Sequence, residues 1–584
     1  ANYAFFQKHI GYVPQDDLLF PNLTVYENLR YRLKLALPNL KNAGEISTRI
    51  ENQLHSVGLF EQRNMIVGDV LNKRLSGGQR RRLNIALELI LNPMIVVLDE
   101  PTSGLSSKDS ENIAEFLGEL KEQNKIIFCT IHQPNATVFR AFDQVLLLDK
   151  GGKQVYFGDS QEVFAYFDEE LAQSGKRKEF LNTKRSLQMP DYFYDVIETT
   201  DGQGNRRFNP DYWERKYRDH RFRKAMDIQT HTKNQEQVKA ESKAHHKGCS
   251  TILRNLYLLT CRNFINKSRS KMNLIMTLLV APLLAALTAF VLRGVPDDLP
   301  YTFLENQNSL LFGFISVIIF VFIGLANSID DILGEKRSIQ REMKLHISAA
   351  CQLFSKHIVL LVLTALQVVL FYFISAWVLG MRGFFYPQST FLLLSGMIGY
   401  SLGLLFSSFI RDRSAIINIL PLIIIPQIMF SGAVIRFADM NGSLRIKHKS
   451  EIPEFCQLVP SRWLFEGWVV ASAKQNTAQR EKASFVSEAR DSALPYSAYM
   501  AKVDAYNSFL ASHPESHYAS KQINNAVMIA HGSYLNQGRN IFLSYKTSIL
   551  GNEYDTFYLD LLVSLLIVIV CGIVTWMRLR YGFR

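Results

Sequence analysis

The stretch from Leu75 to Arg82, LSGGQRRR, and the run from Met94 to Gly104, MIVVLDEPTSG, decide the fold of this chain. In the first, a serine and two glycines precede a helical pattern, so a hydroxyl group and closely approachable backbone N–H groups are available to a phosphate. In the second, an apolar strand ends in two carboxylates that can hold Mg²⁺ and polarise a water molecule. Together they predict an α/β domain that acts on a nucleotide phosphate.

Two further segments accompany these stretches: GYVPQDD from Gly11 to Asp17, and TIHQP from Thr130 to Pro134. In chain order the four segments resemble the Q-loop, signature, Walker B and switch-histidine motifs of ABC-type ATPases. Each alone has an ordinary structural interpretation: a turn before a helix, the end of a strand, or a hydrogen-bonded loop histidine. Four segments in the family's order favour an ATPase over that alternative.

The resemblance implies a role for each matched residue. Asp99 would complete the coordination of Mg²⁺, and Glu100 would act as general base on the attacking water. Gln15 would contact the metal and the water, and His132 would stabilise the γ-phosphate of ATP. The implied cofactors are therefore ATP and Mg²⁺. The signature residues implied to press on ATP held by the opposite subunit are Ser76, Gly77, Gly78 and Gln79.

The sequence contains no Walker A loop, the Gly-rich loop ending in Lys-Ser/Thr that holds the β- and γ-phosphates. Its nearest look-alike, Ser174 to Arg177, lacks the first glycine and the Ser/Thr, and it lies in a charged stretch. We therefore expect the chain to begin inside its nucleotide-binding domain, downstream of Walker A. We also expect this chain alone to be inactive as an ATPase.

Length and composition predict more than one domain. The chain has 584 residues, of which 48% are hydrophobic, and its mean hydropathy of +0.01 indicates a soluble part averaged with a membrane part. We expect an N-terminally incomplete α/β P-loop NTPase domain of ABC type at 1–165 and an all-α six-helix transmembrane domain at 251–584. Between them, residues 166–250 are rich in charged and amide side chains and form a predicted linker.

Six apolar windows of about twenty residues predict membrane-spanning helices. Basic residues cluster in the short loops between spans two and three, between spans four and five, and after span six. The positive-inside rule then places the ATPase domain and the C-terminus in the cytoplasm. The predicted spans are about 272–292, 309–329, 358–380, 391–410, 415–435 and 557–577, with a large outer loop at 436–556.

An ATPase domain followed by six spans is the domain order of the G-type, White/pleiotropic-resistance-like ABC half-transporters with type-2 permease domains, and the chain resembles this family. The segment from Glu335 to Lys356 resembles its cytosolic coupling helix, and Pro460 to Trp468 resembles its re-entrant segment. Of the six cysteines only Cys456 is predicted to lie clearly outside, which favours a bacterial relative. We therefore expect a multi-pass protein of a bacterial inner membrane or of a plasma membrane.

Polar residues and prolines interrupt the predicted fifth span. Such groups inside a bilayer are more often functional than structural, so we predict that they line a transport path. The predicted path residues are Asn418, Pro421, Pro426 and Gln427. In span four, small residues recur every four positions, at Ser395, Gly399 and Gly403, a spacing that would let two helices pack closely and that ordinary bundles also show.

The resemblance and the composition also predict partners. One chain carries one ATPase domain and six spans, so a C₂ homodimer with a second copy is expected. The basic residues behind the net charge of +12 lie around the spans and in the linker instead of on one folded face, which favours anionic lipid headgroups over nucleic acid. The other predicted partners are a lipid bilayer and a substrate, which is a hydrophobic or amphipathic small molecule or a lipid.

Three functions remain open from the sequence. The first is an ABC-type transport ATPase that exports a hydrophobic or amphipathic substrate. The second is a mechanotransmitting ABC ATPase that acts on an external partner, favoured by the large polar stretch 471–556. The third is a weakly hydrolysing regulatory membrane protein, favoured by the absence of Walker A and by Ser106, which stands where the family usually places an aspartate.

Overall fold

The computed structural model of the chain divides into two compact units, Ala1–Gly248 and Cys249–Arg584. The first unit is α/β and the second is helical, which confirms the predicted order of the two fold classes. Most of the predicted linker and outer loop, and the look-alike at 174–177, lie outside the described residues. The structure describes residues 9–40, 42–68, 74–132, 134–173, 193, 196–198, 206, 208–228, 249–293, 308–345, 347–379, 385–410, 412–435, 437–445, 452–474, 546–549 and 552–582.

Three short parallel strands form the centre of the first unit. They are β1 (Ile10–Val13), β2 (Ile95–Asp99) and β3 (Ile126–Thr130), in the sheet order β1-β2-β3. In the register, Val97 pairs with Tyr12 on one side and with Phe128 on the other. Because parallel strands end at the same edge of a sheet, this register brings the Q-loop, Walker B and switch-histidine segments together.

The helices of the first unit cover one side of this sheet with apolar faces. Leu29, Leu83, Val96 and Leu98 are fully buried in the resulting core. In chain order the remaining elements are α1 (Val25–Ala36), α2 (Ala43–Ser56), α3 (Gly77–Leu89), α4 (Ser107–Glu122), α5 (Ala136–Arg140), the antiparallel strands β4 (Gln144–Asp149) and β5 (Lys153–Asp159), α6 (Glu162–Gln173) and α7 (Pro210–Ile228).

Apolar side chains on several strands remain uncovered by the described residues. Ile126 and Phe128 on β3 are 56% and 59% exposed, and Leu146 and Leu148 on β4 are 53% and 57% exposed. A parallel sheet is ordinarily covered on both faces. The described residues therefore supply only part of the cover that such a sheet normally has.

The second unit is built from long apolar helices. In chain order its elements are α8 (Cys249–Arg269), α9 (Lys271–Leu292), α10 (Ser309–Ser328), α11 (Lys336–Lys344), α12 (Ala349–Leu379), α13 (Phe385–Phe409), α14 (Ser414–Met429), α15 (Pro460–Lys474), β6 (Lys546–Ile549), β7 (Asn552–Asp555) and α16 (Thr556–Gly582). Among the described residues, α9, α10, α12, α13 and α16 are long and apolar enough to cross a membrane. This unit therefore has the composition of a multi-pass membrane domain.

The predicted fifth span, 415–435, is a shorter helix than expected. α14 has 16 residues, which extend about 24 Å at 1.5 Å per residue, less than the roughly 30 Å of a hydrocarbon core. The chain leaves the helical conformation at Phe430, and Gly432 has a φ of 81°. A Cβ atom at Gly432 would lie 2.4 Å from Cζ of Phe437, so this turn requires glycine and ends the helix early.

Glycines bring α10 and α13 into backbone contact. A Cβ atom at Gly399 would lie 2.3 Å from the carbonyl oxygen of Val321, and one at Gly324 would lie 2.4 Å from the carbonyl oxygen of Gly396. Gly403 also faces α10 without room for a side chain. The small residues Gly399 and Gly403 of span four therefore pack closely, and the partner helix is α10.

Gly399→Val should disrupt this contact, because the added side chain meets backbone atoms that cannot rotate away. We expect the free energy of unfolding to fall by about 1–3 kcal/mol, seen as a lower midpoint in thermal unfolding of the full-length protein in detergent. Gly572→Val on α16 is the matched control, since a Cβ atom there would meet nothing within 4 Å. Equal midpoints for the two variants would contradict the close packing.

Buried ion pairs join α8, α11 and α12. Arg262 of α8 pairs with Glu342 of α11, which also accepts a hydrogen bond from Nε2 of Gln352 on α12. Nζ of Lys356 on α12 lies 2.6 Å from Oε2 of Glu335, just before α11. The segment that resembles a coupling helix is therefore held to both neighbouring helices by charge-assisted hydrogen bonds.

Candidate active site

The signature segment forms the start of α3. Ser76 is the N-cap residue: its Oγ accepts the backbone N–H of Gln79 at 3.2 Å, and Oε1 of Gln79 accepts the backbone N–H of Ser76 at 3.0 Å. Ser76 and Gly77 are both exposed, so the helix start is open to a ligand. Unpaired backbone N–H groups and the helix dipole make such a terminus suitable for an anion.

Gly78 and Ser106 connect the signature turn to α4. A Cβ atom at Gly78 would lie 2.6 Å from Oδ1 of Asp109, so a larger residue would displace the Asp109 side chain. Ser106 caps α4: its Oγ donates to Oδ2 of Asp109 at 2.8 Å and accepts the Asp109 N–H at 3.1 Å. Serine and aspartate are both strong N-caps, so Ser106 preserves the helix start and removes only a charge.

The Walker B carboxylates lie at the end of β2 and are positioned by Thr130. The Thr130 hydroxyl donates to Oδ1 of Asp99 at 2.8 Å and accepts the backbone N–H of Glu100 at 3.0 Å. Glu100 has a φ of 44°, a left-handed conformation that costs a residue with a side chain about 1–2 kcal/mol. One hydroxyl on β3 therefore orients the first carboxylate and anchors the strained residue that carries the second.

The Q-loop reaches the same place from β1. Nε2 of Gln15 donates to Oε2 of Glu100 at 2.8 Å, and the Tyr12 hydroxyl donates to Oδ2 of Asp99 at 3.3 Å. Burial and the Asp99 charge raise the pKa of Tyr12, which keeps this hydroxyl protonated as a donor. The structure thus brings together three of the predicted site residues, Gln15, Asp99 and Glu100.

Arg81 is the residue that sequence reasoning missed. Its side chain is buried, and the guanidinium donates to main-chain oxygens from both the Q-loop and the end of β2. The acceptors, at 2.5–3.2 Å, are the carbonyl oxygens of Pro14, Gln15, Asp99, Glu100 and Pro101. The only signal in the sequence was its place in a run of three arginines. That run does not distinguish Arg81 from Arg80, which is also buried but pairs with Asp17, or from Arg82.

The two carboxylates fit a divalent cation. Within the described parts of the chain, neither Asp99 nor Glu100 forms an ion pair with a lysine or arginine side chain, and Arg81 contacts only their carbonyl oxygens. The same parts contain no group of three or more His, Cys, Asp or Glu side chains that could hold a metal. Mg²⁺ at this pair would therefore complete its octahedron with phosphate oxygens and water, as it usually does.

His132 follows β3 by two residues and is exposed. In the described residues its side chain makes no hydrogen bond to Gln15, Asp99 or Glu100. Its assignment to the γ-phosphate stays a prediction.

The predicted path residues have different environments. Asn418 and Pro421 on α14 are exposed and Pro426 is half-buried, whereas Gln427 is buried. Oε1 of Gln427 accepts the backbone N–H of Ser461 at 3.0 Å, and the Ser461 hydroxyl donates to the Gln427 carbonyl oxygen at 2.6 Å. Gln427 therefore fastens α14 to α15, a structural role that the sequence pattern did not separate from lining a path.

Comparison with known proteins finds family models that match both units of the chain. A family model described as "ABC transporter" matches residues 1–103, and two described as "ABC-2 type transporter" match residues 132–276 and 254–470. ABC transporter G family member 28 of Arabidopsis thaliana is 37% identical over 193 residues, 33% of this chain and 17% of that protein. ATP-binding cassette sub-family G member 8 of Rattus norvegicus is 38% identical over 161 residues, 28% of this chain and 23% of that protein. The first unit is therefore similar to the ATPase segment of G-family ABC transporters, and the second unit matches the ABC-2 type transporter family.

A fungal ABC-type transporter is a further relative. ABC-type transporter claG of Penicillium crustosum is 44% identical over 151 residues, 26% of this chain and 20% of that protein. Since the three relatives are plant, mammalian and fungal, the expectation of a bacterial relative is not borne out. The chain covers about a fifth of the length of these relatives.

Arg81→Lys should damage the candidate ATP site, because a single ammonium group cannot reach the five carbonyl oxygens that the planar guanidinium contacts. We expect the free energy of unfolding of the first unit to fall by about 3 kcal/mol and ATP turnover to fall with it, measured on the full-length protein in bilayers. Arg82→Lys is the matched control, since Arg82 donates only to the Val57 carbonyl oxygen among its described partners. If Arg81→Lys behaves like Arg82→Lys, the role of Arg81 is refuted.

Proposed function

We propose that the full-length protein is an ABC half-transporter that couples hydrolysis of ATP with Mg²⁺ to the export of a hydrophobic or amphipathic molecule. The observation that carries this proposal is the hydrogen-bonded group of Gln15, Asp99 and Glu100 at the carboxyl ends of parallel strands. The same chain carries five helices, among its described residues, that are long and apolar enough to cross a membrane. An ATPase site and a membrane domain on one chain are the two parts that such a transporter needs.

The proposed mechanism gives each residue of the site a separate task. Asp99 supplies carboxylate oxygens to Mg²⁺, which when bound neutralises charge on the phosphates. Glu100 takes a proton from the attacking water as general base. In the described conformation Gln15 occupies one oxygen of Glu100, so the base becomes free when Gln15 turns away from it. Thr130 holds Asp99 and the backbone of Glu100 through this change.

A second copy completes the proposed site. Ser76 and Gly77 of the signature turn are exposed, and Gly78 and Gln79 complete the turn. Residues that act on ATP bound by another subunit must be exposed in this way. His132 contributes the contact to the γ-phosphate. A C₂ homodimer then contains two equivalent sites, each built from both copies.

The distribution of basic residues supports a cytoplasmic ATPase domain and a cytoplasmic C-terminus. The eukaryotic relatives support a plasma membrane as the location. Basic residues collect in the chain between α10 and α12, between α13 and α14, and at the end of α16, the pattern of loops that stay inside. They include Lys336, Arg337, Arg341, Lys344, Arg413, Arg578 and Arg580.

Glu100→Gln should lower ATP turnover by about 10²-fold or more, because the amide cannot accept the proton of the attacking water. Binding of ATP should persist, since the substitution keeps the shape of the side chain. The measurement is Mg²⁺-dependent ATP hydrolysis and nucleotide binding by the full-length protein in lipid bilayers. Glu119→Gln, an exposed glutamate of α4, is the matched control and should leave turnover unchanged.

The outcomes separate the three functions. If both the parent and Glu100→Gln bind ATP without hydrolysing it, the regulatory function replaces the exporter. If the parent hydrolyses ATP but inverted vesicles accumulate no fluorescent amphipathic dye or labelled lipid in an ATP-dependent way, the mechanotransmitter is favoured. Accumulation that Glu100→Gln abolishes supports the exporter.

A further inference from the structure

A second group of ionisable side chains is buried in the membrane domain, where α15 packs against α16. Arg462 and Glu466 lie one turn apart on α15, and Asp560 lies on the second turn of α16. Their exposed fractions are 2%, 1% and 0%. Charged residues are almost never buried this completely unless their charges are balanced.

Arg462 and Glu466 balance each other. Nη2 of Arg462 donates to Oε2 of Glu466 at 2.6 Å, and the guanidinium lies over the Trp463 ring at 3.7 Å from its centroid. Nε and Nη1 of Arg462 have no hydrogen-bond partner among the described residues. The pair is therefore neutral in sum, but it leaves two buried donors unsatisfied.

Asp560 has no such partner. Neither of its carboxyl oxygens accepts a hydrogen bond from any described residue, and the same is true of the Ser564 hydroxyl one turn further along the same face of α16. The charged groups near Asp560 include Glu466 and Arg462 of α15 and Asp555 at the end of β7. An ionised Asp560 would therefore add a negative charge beside the ion pair of Arg462 and Glu466.

The neighbouring helices leave Asp560 without a donor. α12 and α13 also pack against α16, yet no described residue of either helix donates a hydrogen bond to the Asp560 carboxyl group. An ionised carboxylate buried without a hydrogen bond is very costly, so one positive charge has to be added at Asp560.

The chemistry of the cluster favours a proton over a metal cation. Mg²⁺ and Ca²⁺ require six or more oxygen ligands, whereas Asp560 and Ser564 offer three side-chain oxygens. The Arg462 guanidinium would also repel a metal ion. A proton needs only one oxygen, and it leaves the second carboxyl oxygen able to accept a hydrogen bond from water. The unsatisfied donors of Arg462 also require water as an acceptor.

We propose that Asp560 is a proton-binding site of the membrane domain and that the cluster of Asp560, Glu466 and Arg462 holds one proton in the described conformation. The step is simple: a proton from bulk water forms an O–H bond with one carboxylate oxygen of Asp560, and no other bond breaks. With Asp560 neutral, the ion pair of Arg462 and Glu466 is left balanced beside it.

The site is connected to α14 through the backbone of α15. Ser461, the residue before Arg462, is the partner that Gln427 holds from α14. Loss of the proton would place an uncompensated negative charge between α15 and α16 and disturb the element that fastens α14. Protonation of Asp560 therefore stabilises this arrangement of three helices, whichever molecule the protein transports.

Infrared difference spectroscopy of the full-length protein in nanodiscs tests the proposal directly. At neutral pH we expect the carbonyl band of a protonated carboxylic acid, and we expect Asp560→Asn to remove it. Asp555→Asn is the matched control, since Asp555 is exposed and accepts the backbone N–H of Phe557. Absence of the band in the parent, or its persistence in Asp560→Asn, would overturn the proposal.

Thermal unfolding against pH provides an independent readout. Asn is isosteric with a neutral Asp, so Asp560→Asn should fold. Its midpoint should not share the fall that the parent shows as the pH rises above about 4, where the unfolded chain releases this proton and the folded protein keeps it. Failure of this variant to fold, or equal pH dependence in parent and variant, would refute the proton site. If added Na⁺ at constant pH stabilises the parent but not Asp560→Asn, the bound charge is a metal cation and the proposal fails. Neither experiment depends on ATP turnover or on a transported molecule.

Discussion

The candidate active site depends on one buried cation, the guanidinium of Arg81, whose hydrogen bonds all go to main-chain oxygens. Its acceptors come from the Q-loop and from the end of β2, so Gln15 and Glu100 keep their relative positions through it. A buried guanidinium is tolerated only when fixed oxygens satisfy its donors, and this demand makes the strand edge rigid. The left-handed backbone of Glu100 is held on one side by this hydrogen bond and on the other by Thr130.

The membrane domain is stabilised by contacts that do not rely on apolar side chains alone. In lipid, apolar surfaces gain little by leaving the solvent, so close backbone packing and internal hydrogen bonds carry more of the association. Gly399 against α10 is the first kind of contact, and Gln427 with Ser461 is the second. Asp560 departs from this pattern because no described residue satisfies it, which marks it as a place where protonation changes the energy of the fold.

Local patterns made part of the site predictable. Asp99 and Glu100 stand at the end of an apolar run, so the sequence indicated both carboxylates directly. Gln15 was assigned only by the resemblance of its segment to a Q-loop, and the pairing of β1 with β2 is what places it beside Glu100. Arg81 was not predictable, because Arg80, Arg81 and Arg82 are chemically identical and point in different directions around one helix. Gln427 shows the same limit: a polar residue in an apolar helix has the same pattern whether it faces a path or a neighbouring helix.

The sequence by itself determined the order of an α/β ATPase domain and a helical membrane domain, the apolar helices and the carboxylates of the site. These depend on residue type, local periodicity and strand ends, which a chain expresses without knowledge of its distant neighbours. Only the tertiary structure decided that Arg81 is the arginine that binds the carbonyl oxygens of the Q-loop and of β2, that Gly432 ends α14 early, and that Gln427 binds Ser461. It also decided that Asp560 lies beside an ion pair without a hydrogen-bond partner among the described residues. Each of these outcomes depends on which surface of another element comes into contact, and that is a property of packing between residues far apart in the chain.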